Sequence, residues 1–347
     1  MKDRRGDVRS GSRPAVRLAD LAQLVRAPAA LSVPGDILAG AAAAGRPLSG
    51  PTLGVMGSSV CLYWAGMALN DYADATIDAV ERPERPVPSG RVPRATALAV
   101  AGALTAAGLG LAAASGGRRS FLGALPLTGV IWAYDLKLKS TPVGAAAMAS
   151  ARTLDVLAGA LAAARPGGTG TALLRGAVPA ALVGAHTYTL SALSRHEISG
   201  SRARVPASTL AAATTTALAT ALPAVRTAIA SARTRTAAPS PGHTAGAAPQ
   251  RLLRRPGSRP TTRSALTRAA VVGAGALAYL GTYGTAQIRA VREPSGENVR
   301  RAVGAGIVGF LPLQTALTAR SGATLAAAAL GVAHPLARRL ARRVSPT

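Results

Sequence analysis

Asn70-Asp71-Tyr72-Ala73-Asp74-Ala75-Thr76-Ile77-Asp78 closes an apolar run, 51–69, that is long enough to span a bilayer. Arg82-Pro83-Glu84-Arg85-Pro86-Val87-Pro88-Ser89-Gly90 follows directly. The chain holds only 14 acidic residues in 347, yet three aspartates and two glutamates fall in this short stretch. Ionisable groups at the end of a membrane helix are costly and point to function. Asp71, Asp74 and Asp78 are spaced by three and four, which sets the carboxylates on one helix face. Three such groups repel one another unless a cation sits among them. Hard oxygen ligands suit Mg²⁺, which also takes oxygens from a substrate phosphate.

The composition sets the class. Hydrophobic residues make up 49% of the chain but aromatics only 3%, so Ala, Leu, Val and Gly supply the apolar mass. Small residues let membrane helices approach closely. The reading is an all-α, polytopic membrane helix bundle of nine or ten transmembrane helices. The net charge of +26 does not mark a nucleic-acid binder. Its arginines lie between apolar runs and at the termini, with no interleaved aromatics to stack bases. The positive-inside bias and contact with anionic membrane lipids explain them better. Cys61, the one cysteine, sits inside an apolar run and reads as a packing residue.

Apolar runs are read at 24–44, 51–69, 95–114, 121–136, 142–164, 173–193, 205–230, 266–288 and 299–317. A tenth, 325–340, is either a span or an interfacial helix. The organisation expected is a basic N-terminal tail (1–20), a membrane bundle carrying the site (21–230), a linker (231–264) and C-terminal membrane helices (265–347). The tail lacks the features of a cleaved signal peptide, so the first helix is expected to stay as an anchor. Alternation puts the tail and loops 71–94, 137–141, 194–204 and 289–298 on one side, the cytoplasmic one by their Lys and Arg content. The linker, rich in Arg, Pro, Ser and Gly, would lie on the other side against that bias, and its composition predicts disorder.

The 70–90 stretch resembles the first aspartate-rich motif of the UbiA-type membrane prenyltransferases, which include 4-hydroxybenzoate polyprenyltransferase. That pattern, N-D-x-x-D-x-x-x-D followed by R-P-x-R-P, is met by Asn70, Asp71, Asp74, Asp78, Arg82, Pro83, Arg85 and Pro86. The resemblance implies an all-helical membrane fold around a central, cytoplasm-facing cavity, and Mg²⁺-dependent transfer of an isoprenyl group from a prenyl diphosphate to an unidentified, aromatic or other, acceptor. It makes Asp71, Asp74 and Asp78 metal ligands, assisted by Asn70, and Arg82 and Arg85 phosphate ligands. Tyr134-Asp135-Leu136-Lys137-Leu138-Lys139 matches a second element, with Tyr134 on the substrate and Lys137 the first choice for a phosphate-binding lysine. The alternative for Lys137 and Lys139 is a helix end anchored at the interface.

Arg152 and Asp155 lie inside the fifth run, spaced to pair on one face or to line the cavity near the acceptor. Where UbiA enzymes carry a second D-x-x-x-D element, this chain has Ser194-Arg195-His196-Glu197-Ile198-Ser199-Gly200. Only Glu197 is acidic; it and Arg195 would form the opposite wall. This form resembles the EboC-like subgroup. The loss of the second acidic motif opens an alternative: a UbiA-like protein that binds or transports a prenyl lipid without transferring it. His186, within the sixth run, reads as a hydrogen-bonded core histidine rather than a catalyst.

Overall fold

The structure, a computed structural model, describes residues 16–27, 32–236 and 261–344. Among them are twelve α-helices: α1 (Leu18–Leu24), α2 (Val33–Ala43), α3 (Gly50–Ala73), α4 (Ala75–Glu81), α5 (Arg94–Ala133), α6 (Gly144–Ala162), α7 (Thr169–Ser194), α8 (Arg204–Thr236), α9 (Thr262–Tyr279), α10 (Thr285–Arg292), α11 (Gly296–Arg320) and α12 (Thr324–Val344). Two π-helical turns are inserted, Tyr134–Leu138 after α5 and Leu280–Gly284 between α9 and α10. The protein is an all-α membrane bundle. Six of its described helical runs are long and apolar enough to cross a bilayer.

That count is lower than the nine or ten spans read from the sequence, for local reasons. α2 has only 11 residues. α7 is long, but Arg175, glycines and threonines lower its apolarity. The run 94–138 counts once, yet it contains a reversal. Gly117 has φ +62° and ψ −158°, a conformation open to glycine alone. The halves on either side fold back together, and the Trp132 indole N–H donates to Thr105 Oγ1 at 3.1 Å. Those residues are 27 apart, and in a straight helix they would be separated by about 40 Å. The third and fourth apolar runs are thus the two arms of a helical hairpin, which packs against α3 and, directly, against α6.

Helix ends follow their sequences. Ser49 caps α3, its hydroxyl accepting from Thr52 N at 3.3 Å with Pro51 just inside the helix. Ser295 caps α11 through Asn298 N at 3.4 Å. Small residues decide the packing. α2 and α6 cross where Gly40 meets the Val156 carbonyl and Gly159 meets the Ile37 carbonyl, and a Cβ at either glycine would collide with the facing backbone. Gly40→Val and Gly159→Val should each abolish the folded protein, measured as loss of monodisperse material after detergent extraction. Normal yield with unchanged melting would refute this crossing.

The C-terminal helices pack on the preceding ones. α11 is the most buried long helix, with Phe310, Leu313 and Leu317 sharing a core with Ala39 of α2, Val156 of α6 and Val183 and Leu190 of α7. His186 confirms the core reading. Its Nε2–H donates to the Gly306 carbonyl at 3.2 Å, and Nδ1 accepts from the Tyr279 hydroxyl at 2.8 Å. The linker expectation falls largely on 237–260, outside the described residues. Within them, α8 continues to Thr236 and α9 opens at Thr262, so both margins of the 231–264 segment are helical.

Candidate active site

The aspartate motif sits where α3 ends. Asp71 lies in its last turn, Asp74 at the junction, and Asp78 in the short α4. Backbone bonds Asp74 N→Asn70 O (2.9 Å) and Asp78 N→Asp74 O (2.8 Å) carry the helical spacing across the break. Each carboxylate meets a cation from a different segment. Arg26, just after α1, holds Asp71 at 2.6 Å. Arg85, in the loop after α4, holds Asp78 at 2.5 Å and reaches Asp71 at 3.7 Å. Lys139, after the first π turn, holds Asp74 at 2.5 Å. Asp71 and Asp78 are buried, at 1% and 2% exposure, while their partners Arg26 and Arg85 keep part of their side chains in reach of solvent.

α1 is tied over this end of the bundle. Arg91 pairs with Asp20 at 2.5 Å and bonds Gln23 at 2.7 Å. The Arg26 backbone adopts φ +44°, uncommon for a residue with a side chain, and such strain gathers at functional sites. Beside the motif lies a cavity of about 240 Å³, with Arg26, Asn70, Tyr134 and Asp135 as its polar lining and Tyr63 and Met67 among the rest. The Asn70 side-chain amide donates to Asp135 Oδ1 at 3.3 Å.

The sequence expectations divide here. Asn70, Asp71, Asp74, Asp78, Arg85 and Tyr134 come together at one end of the bundle. Lys137 does not join them. It is exposed, whereas Lys139 pairs with Asp74. Asp135 and Lys139 are one turn apart and face inward, and Lys137, midway between, points outward. The π turn, closed by Lys139 N→Tyr134 O at 3.0 Å, is a feature frequent at functional sites. If the site takes the prenyl diphosphate that the motif's resemblance implies, Lys139→Ala should weaken its binding about tenfold, while Lys137→Ala should leave it within twofold of the unchanged protein. Equilibrium binding of a fluorescent prenyl diphosphate checks this, and the reverse order would restore the Lys137 assignment.

Arg82 is exposed. It lies in electrostatic reach of Glu197, as does Arg300, and partial burial holds the Glu197 carboxyl above the usual range despite both arginines. Arg195 bonds the Thr141 carbonyl, tying loop 195–203 to the turn before α6. Asp155 lies deeper in the bundle, away from the aspartate motif, and accepts from the Ser59 hydroxyl. It does not pair with Arg152. Arg152 reaches across to Asp36 of α2 at 2.8 Å, with Gln314 of α11 donating to the same carboxylate at 2.7 Å. Arg152 also lies 4.2 Å from the Phe310 ring and 5.6 Å from the Tyr63 ring. Sequence reasoning passed over Arg26, Asp135 and Asp36. The available signal was an ionisable residue inside or beside an apolar run, the same signal that marked Asp71.

Among the described residues, no three His, Cys, Asp or Glu side chains converge as a metal cluster. Asp71, Asp74 and Asp78 therefore do not form an all-protein cage. They do suit Mg²⁺ in its usual protein setting: one or two carboxylates, with phosphate oxygens and water completing the shell.

The profile of the UbiA prenyltransferase family matches residues 34–246, more than half of the chain and all of the site except Arg26. The chain belongs to the UbiA prenyltransferase family. This UbiA protein is 38% identical over 112 residues to a digeranylgeranylglyceryl phosphate synthase of Methanopyrus kandleri, covering 32% of this chain and 39% of that one. It is 35% identical over 154 residues to the synthase of that name from Ignicoccus hospitalis, covering 44% and 50%. The chain thus spans half or less of the length of these curated relatives. A solved structure from work on digeranylgeranylglyceryl phosphate synthase in membranes superposes with a TM-score of 0.53 over 89% of this chain and 99% of that one. At 14% identity, that likeness shows the shared fold.

Proposed function

We propose that this UbiA protein transfers an isoprenyl group from a prenyl diphosphate to an acceptor, with Mg²⁺ as cofactor and its site facing the cytoplasm. The observation that carries the reading is the meeting of Asp71, Asp74 and Asp78 with Arg26, Arg85 and Lys139 beside a cavity. Such a mixed set suits a diphosphate: carboxylates for its metal, guanidinium and ammonium groups for its oxygens. Nine spans are proposed, counting α2, α3, the two arms of α5, α6, α7, α8, the α9–α10 run and α11. This arrangement places the loops with the aspartate motif, Lys139, Arg195 and Glu197 on one side.

In transfer, the bond between C1 of the prenyl chain and the diphosphate oxygen breaks, with the electron pair leaving on diphosphate. The acceptor's nucleophile bonds to C1 and its proton is lost. Asp71 and Asp74 are assigned to Mg²⁺, and Asn70 and Asp78 to orienting them. When bound, Mg²⁺ neutralises the diphosphate and makes it a better leaving group. Arg26, Arg85 and Lys139 exchange their carboxylate partners for phosphate oxygens, and exposed Arg82 adds a further cation at the mouth. Tyr134 and Asp135 line the wall where C1 would lie, and Asp135 is assigned to take the acceptor's proton. Arg195 and Glu197 close the facing side, and Asp155 shapes the deeper end. The curated relatives are named for a glyceryl phosphate product. For this chain the acceptor is proposed only as a group with a nucleophilic oxygen or carbon. The S-R-x-E-x-x-G element supports placing the protein in the EboC-like subgroup.

That element also supports a second reading, a prenyl-lipid carrier that binds the diphosphate without transfer, since Glu197 alone remains of the second acidic motif. Membranes incubated with radiolabelled prenyl diphosphates separate the two. Mg²⁺-dependent release of diphosphate supports the transferase. Saturable binding with no release, at any chain length and with native lipids present, supports the carrier and overturns the first reading.

A further inference from the structure

At the end of the bundle away from the aspartate motif, α9 and α12 begin near each other. The first two turns of α9, the start of α12 and the α11–α12 turn border an open cavity of about 320 Å³. Thr261, Arg263, Ser264, Thr267, Arg268 and Thr324 line it, together with Gly322. Its distance from the motif follows from connectivity. α9, the π turn and α10 form one run of 31 residues, about 45 Å long. The far end of that run meets loop 195–203, where Ser201 N donates to the Pro294 carbonyl at 2.9 Å, and Glu197 of that loop is in reach of Arg82. The cavity therefore opens on the opposite membrane face.

The lining is cationic and hydroxyl-rich. Arg268 Nε is buried without a hydrogen-bond partner. Its guanidinium lies against Gly322, φ +91°, where an added Cβ would come within 2.9 Å of Nη2. Neither α9 nor α12 has an acidic residue in its first turn, so the positive ends of both helix dipoles add to the two arginines. No counter-ion can come from the surrounding chain, because the sequence has no Asp or Glu between Glu197 and Glu293 and none after Glu297. Of those three glutamates, Glu197 and Glu293 lie in or beside the loops at the other end and Glu297 in the first turn of α11 there. Two arginines lining one cavity, with hydroxyls beside them, suit a phosphate group. Leu266 and Leu325, next to the lining residues, are exposed at 52% and 87%. Exposed leucines beside a cationic cavity larger than a phosphate group favour a lipid headgroup over a free ion.

We propose that this cavity binds the phosphate of an anionic phospholipid from the leaflet opposite the aspartate motif. The test uses the full chain, delipidated in dodecyl maltoside, with heat-induced unfolding followed against added lipid. Phosphatidylglycerol should raise the unfolding temperature and phosphatidylcholine should not. Ser264→Asp supplies the missing counter-ion at a first-turn position where a carboxylate favours the helix, so the variant should fold. It should weaken the phosphatidylglycerol response roughly tenfold, as should Arg263→Gln. Both should keep prenyl diphosphate binding, which lies at the other face. An equal phosphatidylglycerol response in the unchanged protein and both variants would overturn the proposal. A variant-sensitive response to inorganic phosphate, with phosphatidylglycerol no better, would overturn the lipid source.

Discussion

Asp71→Asn is expected to lower Mg²⁺-dependent release of diphosphate by roughly 10²–10³-fold, while the protein still inserts and melts normally. The substitution keeps the shape of the side chain but removes the charge that Arg26 contacts at 2.6 Å and Arg85 at 3.7 Å. Folding should survive. Arg26 remains 30% exposed and can turn to water, and Arg85 keeps Asp78 at 2.5 Å. Binding of the substrate should change far less than turnover, because the three basic residues that would hold its phosphates are untouched. Turnover within threefold of the unchanged protein, measured on verified membranes, would remove Asp71 from the chemistry.

The second large effect lies in the middle of the bundle. Asp36 is fully buried, with Arg152 and Gln314 as its partners, and the three residues come from α2, α6 and α11. Removing one member of a buried pair leaves an uncompensated charge and typically costs about 3–5 kcal/mol. Arg152→Leu should therefore lower the unfolding temperature in detergent more than any single change at the aspartate motif. Removing both charges should be milder, and Asp36→Leu combined with Arg152→Leu should recover most of the loss. A double variant as unstable as Arg152→Leu alone would show that the pair does not hold these helices together.

These two sites also show what the sequence could and could not reveal. Apolar runs separated by basic loops were legible, including the break between 95–114 and 121–136, which the structure resolves as the reversal at Gly117. The carboxylate spacing at 71, 74 and 78 was legible because it is local. The partners were not. Arg26 and Asp71 are 45 residues apart, and Asn70 and Asp135 are 65 apart. Nothing local in either segment states which cation meets which acid. Arg152 and Asp155 show the opposite error. Their i,i+3 spacing suggests a pair, yet each side chain finds its partner on another helix, Asp155 on α3 and Arg152 on α2. Lys137 and Lys139 could have been separated by helical phase alone, since Lys139 lies one turn from the inward Asp135 and Lys137 does not.

The central claim is that the carboxylates and cations around Asp71 move a prenyl group rather than merely hold its diphosphate. Its most direct test is to supply membranes containing the protein with prenyl diphosphate radiolabelled in the isoprenyl chain, with and without Mg²⁺, and to assay the organic extract. The expected result is labelled lipid that resists phosphatase, accumulates in step with free diphosphate, requires Mg²⁺, and is absent with Asp71→Asn. Label recovered only as intact prenyl diphosphate, with and without Mg²⁺, would contradict it.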